Sequence, residues 1–117
     1  MRTAKVTVEQ HDAGPVICVR GEIDLANSEE LQREILPALP PDGPGMVLDL
    51  THTTYLDSSG IRLLFDLGER LQGRRQRLVL VVSEAALVRR VVVLTKLEDA
   101  VLVVDTVGAA LAVLETV

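Results

Sequence analysis

Aromatic residues are nearly missing: the 117-residue chain holds one Tyr (Tyr55), one Phe (Phe65) and no Trp. Single-strand nucleic-acid binders stack bases on aromatic faces, so that function class loses its main tool. Positive charge is also scarce, with 12 Lys and Arg against 17 Asp and Glu and a net charge of −5. A duplex binder needs a positive field, so no nucleic-acid partner is expected. One cysteine, Cys18, permits no intrachain disulfide and fits a reducing compartment. No apolar run approaches the roughly 20 residues of a membrane helix. Met1-Arg2-Thr3-Ala4-Lys5 leads into polar residues, not into the apolar stretch of a signal peptide. A cytoplasmic chain without membrane association is the expectation.

What is present is aliphatic. Apolar residues make up 48% of the chain, mostly Leu and Val. At this length that composition fits a single domain over 1–117, with a core that needs neither disulfide nor metal. Lys5 to Gln10 alternates as a half-exposed strand, and His11-Asp12-Ala13-Gly14-Pro15 reads as a turn. Val16 to Arg20 is a second strand, apolar enough to be covered on both faces and paired antiparallel with the first. A helix follows, with Asn27 as cap, Glu30 completing a capping box, and Leu31 and Ile35 as its apolar stripe. Pro37 and the stretch Leu39 to Gly45 end it. Met46 to Leu50 is a buried strand, and Thr51 to Asp57 reads as a polar loop.

Ser58 to Leu71 is the clearest helix. Ile61, Leu64, Phe65, Gly68 and Leu71 share one face, and Arg62, Asp66, Glu69 and Arg70 lie opposite. Asp66 is spaced to pair with Arg70, and Gly73 to cap the C-terminus. Arg77 to Val82 is a strand. Ser83 is placed to cap a third helix whose apolar face holds Leu87, Val88, Val91 and Leu94, with Arg89, Val93 and Lys96 on the polar side. Val101 to Val104 is a short strand, and Thr106 to Glu115 a terminal helix. Strands alternating with helices give an α/β fold: a mixed, mostly parallel sheet of about five strands covered by about four helices.

Chemistry concentrates at Leu56-Asp57-Ser58-Ser59-Gly60, where a loop enters the clearest helix. One Asp or Ser suffices to cap a helix, yet three such residues crowd this end. A helix N-terminus offers free N–H groups to an anion. A serine hydroxyl there suits either a nucleophile or a phosphate acceptor. As a nucleophile it lacks support: no G-x-S-x-G elbow is present, and the nearest histidine, His52, lies six residues upstream. No clustered His or Cys spacing suggests a metal, and no glycine-rich loop suggests a nucleotide. No cofactor and no enzymatic activity are expected. Of the rest, Cys18 reads as a small core hydrophobe and Asp49 as a loop-fixing acceptor. Gly21 and Gly60 read as suppliers of backbone freedom. Arg74-Arg75-Gln76-Arg77, with Arg70 nearby, reads as a solvated basic loop.

The stretch Met46-Val-Leu-Asp-Leu-Thr-His-Thr-Thr-Tyr-Leu-Asp-Ser-Ser-Gly-Ile61 resembles the signature of STAS domains, specifically of bacterial anti-sigma factor antagonists. Gly21-Glu22-Ile23-Asp24 resembles a second marker of that family, and Val88-x-x-Val91-x-x-x-Thr95-x-Leu97 its third helix. Element order and length agree over nearly the whole chain. The resemblance implies the STAS fold and a partner-switching role. The unphosphorylated protein would bind an anti-sigma factor that is also a serine kinase, and so release the sigma factor. The kinase would phosphorylate Ser58, and a metal-dependent serine phosphatase would reverse it. Asp24, Asp57, Ser59, Gly60 and Arg62 would form the partner-binding surface of a protein that is monomeric when free.

Phosphate adds roughly −1.5 to −2 charge. At a helix N-terminus such charge is locally favourable, so phosphorylation is expected to spare the fold and act between molecules. The family usually has Gly where this chain has Arg62. That arginine either changes partner choice or counters the phosphate charge; the simpler reading pairs it with Asp66 at i+4. A second reading makes the chain a STAS subunit of a lipid-transport or stress-signalling assembly, a docking module without phosphorylation. A hydrolase is the third, disfavoured for want of a triad.

Overall fold

The computed structural model describes residues 4–116. Its strands are β1 (Ala4–His11), β2 (Gly14–Ile23), β3 (Gly45–Asp49), β4 (Thr53–Leu56), β5 (Arg77–Val81) and β6 (Leu102–Val104). Its helices are α1 (Ser28–Ile35), α2 (Ser58–Gly73), α3 (Arg89–Leu94) and α4 (Val107–Glu115), with single 3-10 turns at Leu36–Ala38 and Leu97–Asp99. The sheet runs β1-β2-β3-β5-β6, and β4 pairs with the end of β2. Among the described residues β1–β2 is antiparallel and every other pairing is parallel. The mixed, mostly parallel sheet is as the sequence implies, with six strands instead of about five.

Period-two alternation divides the apolar residues between two cores. On one face lie Ile17, Val19 and Ile23 of β2, Met46 and Leu48 of β3, and Leu78 and Leu80 of β5. Against them pack Leu31 and Ile35 of α1 and Ile61, Leu64, Leu67 and Leu71 of α2. The intervening residues Val16, Val47, Val79 and Val81 face the other way and meet Ala110 and Leu114 of α4. One helix does not cover that second face, so towards β1 it carries polar side chains. A groove of about 280 Å³ there is lined by Thr7, Glu9, Cys18, Arg20, Asp49 and His52, among others.

Several expectations need correction. Thr53–Leu56 is a strand, not part of a polar loop: Glu22 pairs with Tyr55 and Ile23 with Leu56. Its Thr-Thr-Tyr run is a β-prone composition. Cys18 is half-buried on the polar face and is not a core residue. Burial pushes its thiol pKa up, the Asp49 carboxylate adds to the rise, and Arg20 and Thr7 oppose it. Asp49 accepts from the Thr51 N–H and hydroxyl at 2.9 and 2.5 Å, which fixes its loop as expected. Gly73 is the last residue of α2 and does not cap it; the left-handed residue after the helix is Arg75, at φ 58°. The basic loop is structural and not merely solvated. Arg74 Nη2 donates to Pro40 O at 2.6 Å, and buried Gln76 Nε2 donates to the same carbonyl at 3.0 Å. Among the described residues, Asp66 pairs with neither Arg62 nor Arg70.

The inner faces of α2 and α3 also differ from expectation. In α2, Leu63 and Leu67 are buried while Phe65 and Gly68 are only half-buried. The segment from Ser83 to Val88 is turn, so α3 starts at Arg89 without a side-chain cap. Its buried residue is Val92, Val88 is buried just before it, and both Leu87 (72% exposed) and Leu94 (69%) point outward. Val93 is exposed as expected. Among the described residues no helix is long and apolar enough to cross a membrane.

The α3 orientation makes opposite predictions for neighbouring positions. Val92→Ala empties a fully buried site and is expected to cost about 2 kcal/mol in chemical denaturation. Leu94→Ala is expected to stay within about 0.5 kcal/mol of wild type.

Candidate functional site

The parallel strands set the location of the site. β2, β4, β5 and β6 are each followed by a helix, so four helix N-termini gather at the carboxyl edge of the sheet. That edge is where open α/β sheets place ligands and partners. Pairing of Ile23 with Leu56 brings the turn after β2 against the start of α2, and Asp57 N–H donates to Ile23 O at 3.3 Å.

Asp57 joins the two segments. Its Oδ1 accepts from the N–H groups of Ser59 and Gly60 at 2.9 and 3.1 Å, which caps α2. Its Oδ2 accepts from Leu25 N–H at 3.1 Å, across 32 residues of sequence. One carboxylate therefore fills the helix-end anion position and ties down the neighbouring loop. The free N–H groups expected at this helix end are largely taken: of the first three amides of α2, only that of Ser58 is left over. The surplus of hydroxyls is real. Ser58 is exposed, Ser59 is half-buried, and neither hydroxyl is hydrogen-bonded among the described residues.

Asp24 does not line the surface. It is 4% exposed, and its Oδ1 accepts from Ala26 N–H at 2.9 Å and Asn27 N–H at 3.2 Å. It shapes the turn from within. Asn27 occupies the cap position of α1 but makes no capping bond. Its side chain reaches back instead, accepting from Asp24 N–H at 3.0 Å and donating to Glu22 O at 2.7 Å. The Asn27–Glu30 capping box is not formed, because the turn uses the asparagine first.

Gly60 is buried and helical, so backbone freedom is not its role; Gly21, at φ 102°, does use that freedom. A Cβ on Gly60 would run into Leu56 Cδ1 and sit 3.0 Å from Ile23 Cγ2. The missing side chain lets α2 close onto β2 and β4. Arg62 is exposed and lines a groove of about 330 Å³ between α1 and α2, with Ser28, Gln32, Ser59 and Asp66. Leu25, 78% exposed, lines the same groove, and sequence reasoning passed it over. The available signal was an apolar residue inside a polar turn, outside any helical or strand period.

The arrangement does not bring a histidine to Ser58. His52 lines the groove on the opposite face of the sheet, with Cys18 and Asp49. Among the described residues no three His, Cys, Asp or Glu side chains are placed to hold a metal ion. What the site offers is an exposed, unpartnered serine hydroxyl on a helix N-terminus, beside an exposed leucine and a shallow groove.

The profile described as "Mlab, STAS domain" matches residues 6–105. A putative anti-sigma factor antagonist, BtrV of Bordetella bronchiseptica, is 29% identical over 76 residues, covering 65% of this chain and 66% of that protein. Osmosensory protein A of Mycobacterium tuberculosis is 33% identical over 82 residues, covering 70% of this chain and 51% of that protein. The matched stretches thus span between half and two thirds of these curated relatives. The crystal structure of an anti-sigma factor antagonist from Mycobacterium paratuberculosis superposes with a TM-score of 0.86 at 29% identity, over 97% of this chain and 95% of that one.

Because Asp57 alone caps α2 and tethers Leu25, Asp57→Ala is expected to cost about 2 kcal/mol, the upper end for loss of a cap. Thermal denaturation followed by circular dichroism measures it. Ser58→Ala, which removes an unbonded hydroxyl, is expected to leave the same transition unmoved.

Proposed function

The chain belongs to the STAS domain family, and on that premise we propose that it is an anti-sigma factor antagonist switched by phosphorylation of Ser58. Its unphosphorylated form binds an anti-sigma factor that is also a serine kinase, and so frees the sigma factor. ATP-dependent transfer to the Ser58 hydroxyl ends the interaction, and a metal-dependent serine phosphatase restores it. The protein acts in the cytoplasm by binding and catalyses nothing itself. Neither nucleic acid nor membrane is a partner.

One observation carries this reading: Asp57 does all the capping, which leaves Ser58 exposed and without an internal partner. A serine retained only for capping would point its oxygen at the helix amides. The same geometry explains how the switch works. A phosphate of roughly −1.5 to −2 charge meets a helix end already occupied by a carboxylate. Only the Ser58 N–H remains to receive it, so the charge is turned outward. An interface that accepts a neutral hydroxyl beside Leu25 then faces bulk and negative charge. Ser59, Arg62 and the α1–α2 groove extend this contact surface, with Gly60 and Asp24 supporting it from below. Arg62, which has no ion pair with Asp66 and lines the same groove as Ser59, is the cationic candidate to temper the phosphate.

A second reading makes the chain a docking module that is never phosphorylated. It is favoured by the family description, which names Mlab, and by the likeness to Osmosensory protein A.

Incubation with the cognate anti-sigma kinase and ATP, read by mass spectrometry, separates the two. The expected result is one phosphate on Ser58, absent in Ser58→Ala. Ser58→Asp is expected to weaken kinase binding at least about tenfold by titration calorimetry while its helical circular dichroism is unchanged. Tight binding with no phosphate transfer would leave the docking module as the better account.

A further inference from the structure

The two edges of the sheet are treated very differently. At one end β6 is three residues long. At the other, β1 runs eight residues and pairs with β2 from Ala4↔Gly21 to His11↔Gly14 without a break in register. Its outer edge carries no strand among the described residues. Proteins usually blunt such an edge with proline, a bulge, a short strand or charge, because a long flat edge is a template for another strand. β1 has no proline, bulge or shortness, and its charges, Lys5 and Glu9, are of opposite sign, so they repel a partner strand only in some registers. It is also the most exposed strand, and Val8 on it is 45% exposed.

The sequence of this edge is complementary to itself. Two copies related by a two-fold axis perpendicular to the sheet pair antiparallel, and each side chain stays on its own face. Paired residues must then have the same parity. Centred on Thr7, this register sets Lys5 against Glu9 of the second copy, and Glu9 against its Lys5. Thr7 meets Thr7 on that same face, and on the other face Val6 meets Val8 and Val8 meets Val6. Moving the centre to Val6 or Val8 places Lys5 opposite Thr7 or His11 and loses both charge pairs. Lys5 has no ion pair within the chain among the described residues. Glu9 meets only His11, at 3.2 Å, on its own strand.

We infer that the partner of this edge is a second copy of the chain, joined β1 to β1 in the Thr7-centred register to make a continuous twelve-stranded sheet. Such a dimer departs from the free monomer expected from the sequence. Seven paired residues make a small interface, so the association is weak and dependent on concentration. The inference does not rest on the role of Ser58.

Sedimentation over a range of protein concentrations tests it, with charge reversal at exposed positions as the control of register. Wild type is expected to show a monomer–dimer equilibrium. Lys5→Glu and Glu9→Lys each place like charges opposite one another twice, and each is expected to weaken dimerisation about tenfold. The double variant, Lys5→Glu with Glu9→Lys, restores both pairs and is expected to recover the wild-type constant. A monomer at every concentration would overturn the inference. So would a dimer indifferent to the single reversals, or a double variant no stronger than the singles. Circular dichroism of each variant confirms that the fold is retained.

Discussion

Three N–H groups converge on the Asp57 carboxylate, and the candidate site is arranged around that convergence. Two belong to the first turn of α2, and the third belongs to Leu25, which is remote in sequence. A carboxylate hydrogen-bonded to several amides is a strong junction, because each bond is charge-assisted. The junction is possible only because β4 lies beside the end of β2, which puts Ile23 next to Leu56. It is close only because Gly60 has no side chain to hold α2 away from Leu56 and Ile23. Sheet register, glycine and carboxylate thus act in series, and the exposed positions of Ser58 and Leu25 are their product.

The turn after β2 is built on the same logic. Asp24 is buried, yet its carboxylate is satisfied by amides of its own turn, and Asn27 bridges Asp24 and Glu22. Buried polar groups are tolerable when their hydrogen bonds are made. Two acids close in the fold therefore have separate tasks. Asp24 makes the loop rigid, and Asp57 fastens that rigid loop to the helix. A surface organised in this way holds its shape with little dependence on what binds to it.

Much of this was legible in the sequence. The alternation of Ile17 and Val19 with Val16 marks a strand between two layers, and the periodicity of α2 marks its helix. The Asp-Ser-Ser-Gly segment at the head of that helix marks the candidate site. The rest failed for identifiable reasons. Thr53–Leu56 was lost because its polar threonines suggested a loop, although Thr53 is buried and its hydroxyl donates to Val19 O at 2.8 Å. The face of α3 was misassigned because a six-residue helix is too short for periodicity to fix, and a run of three valines fits more than one wheel. Cys18 was placed in the core because the sequence does not reveal that one helix covers only part of the second sheet face. Asp24 resembles a surface acid in the sequence because its partners are backbone amides, which no side-chain pattern discloses.

The division of labour between Asp57 and Ser58 also limits what phosphorylation can do. Had Ser58 been the cap, a phosphate there would replace one anionic acceptor by another, and its charge would be taken up by the helix dipole. With Asp57 in that place, the helix end is already neutralised before any modification. An added phosphate therefore meets a neighbouring carboxylate that is held in position by its own three hydrogen bonds and cannot swing away without releasing Leu25. Repulsion is then relieved most cheaply by pointing the phosphate to solvent. On the proposed reading the fold would be spared because its cap is untouched, and the interface would be altered because the charge is turned towards solvent.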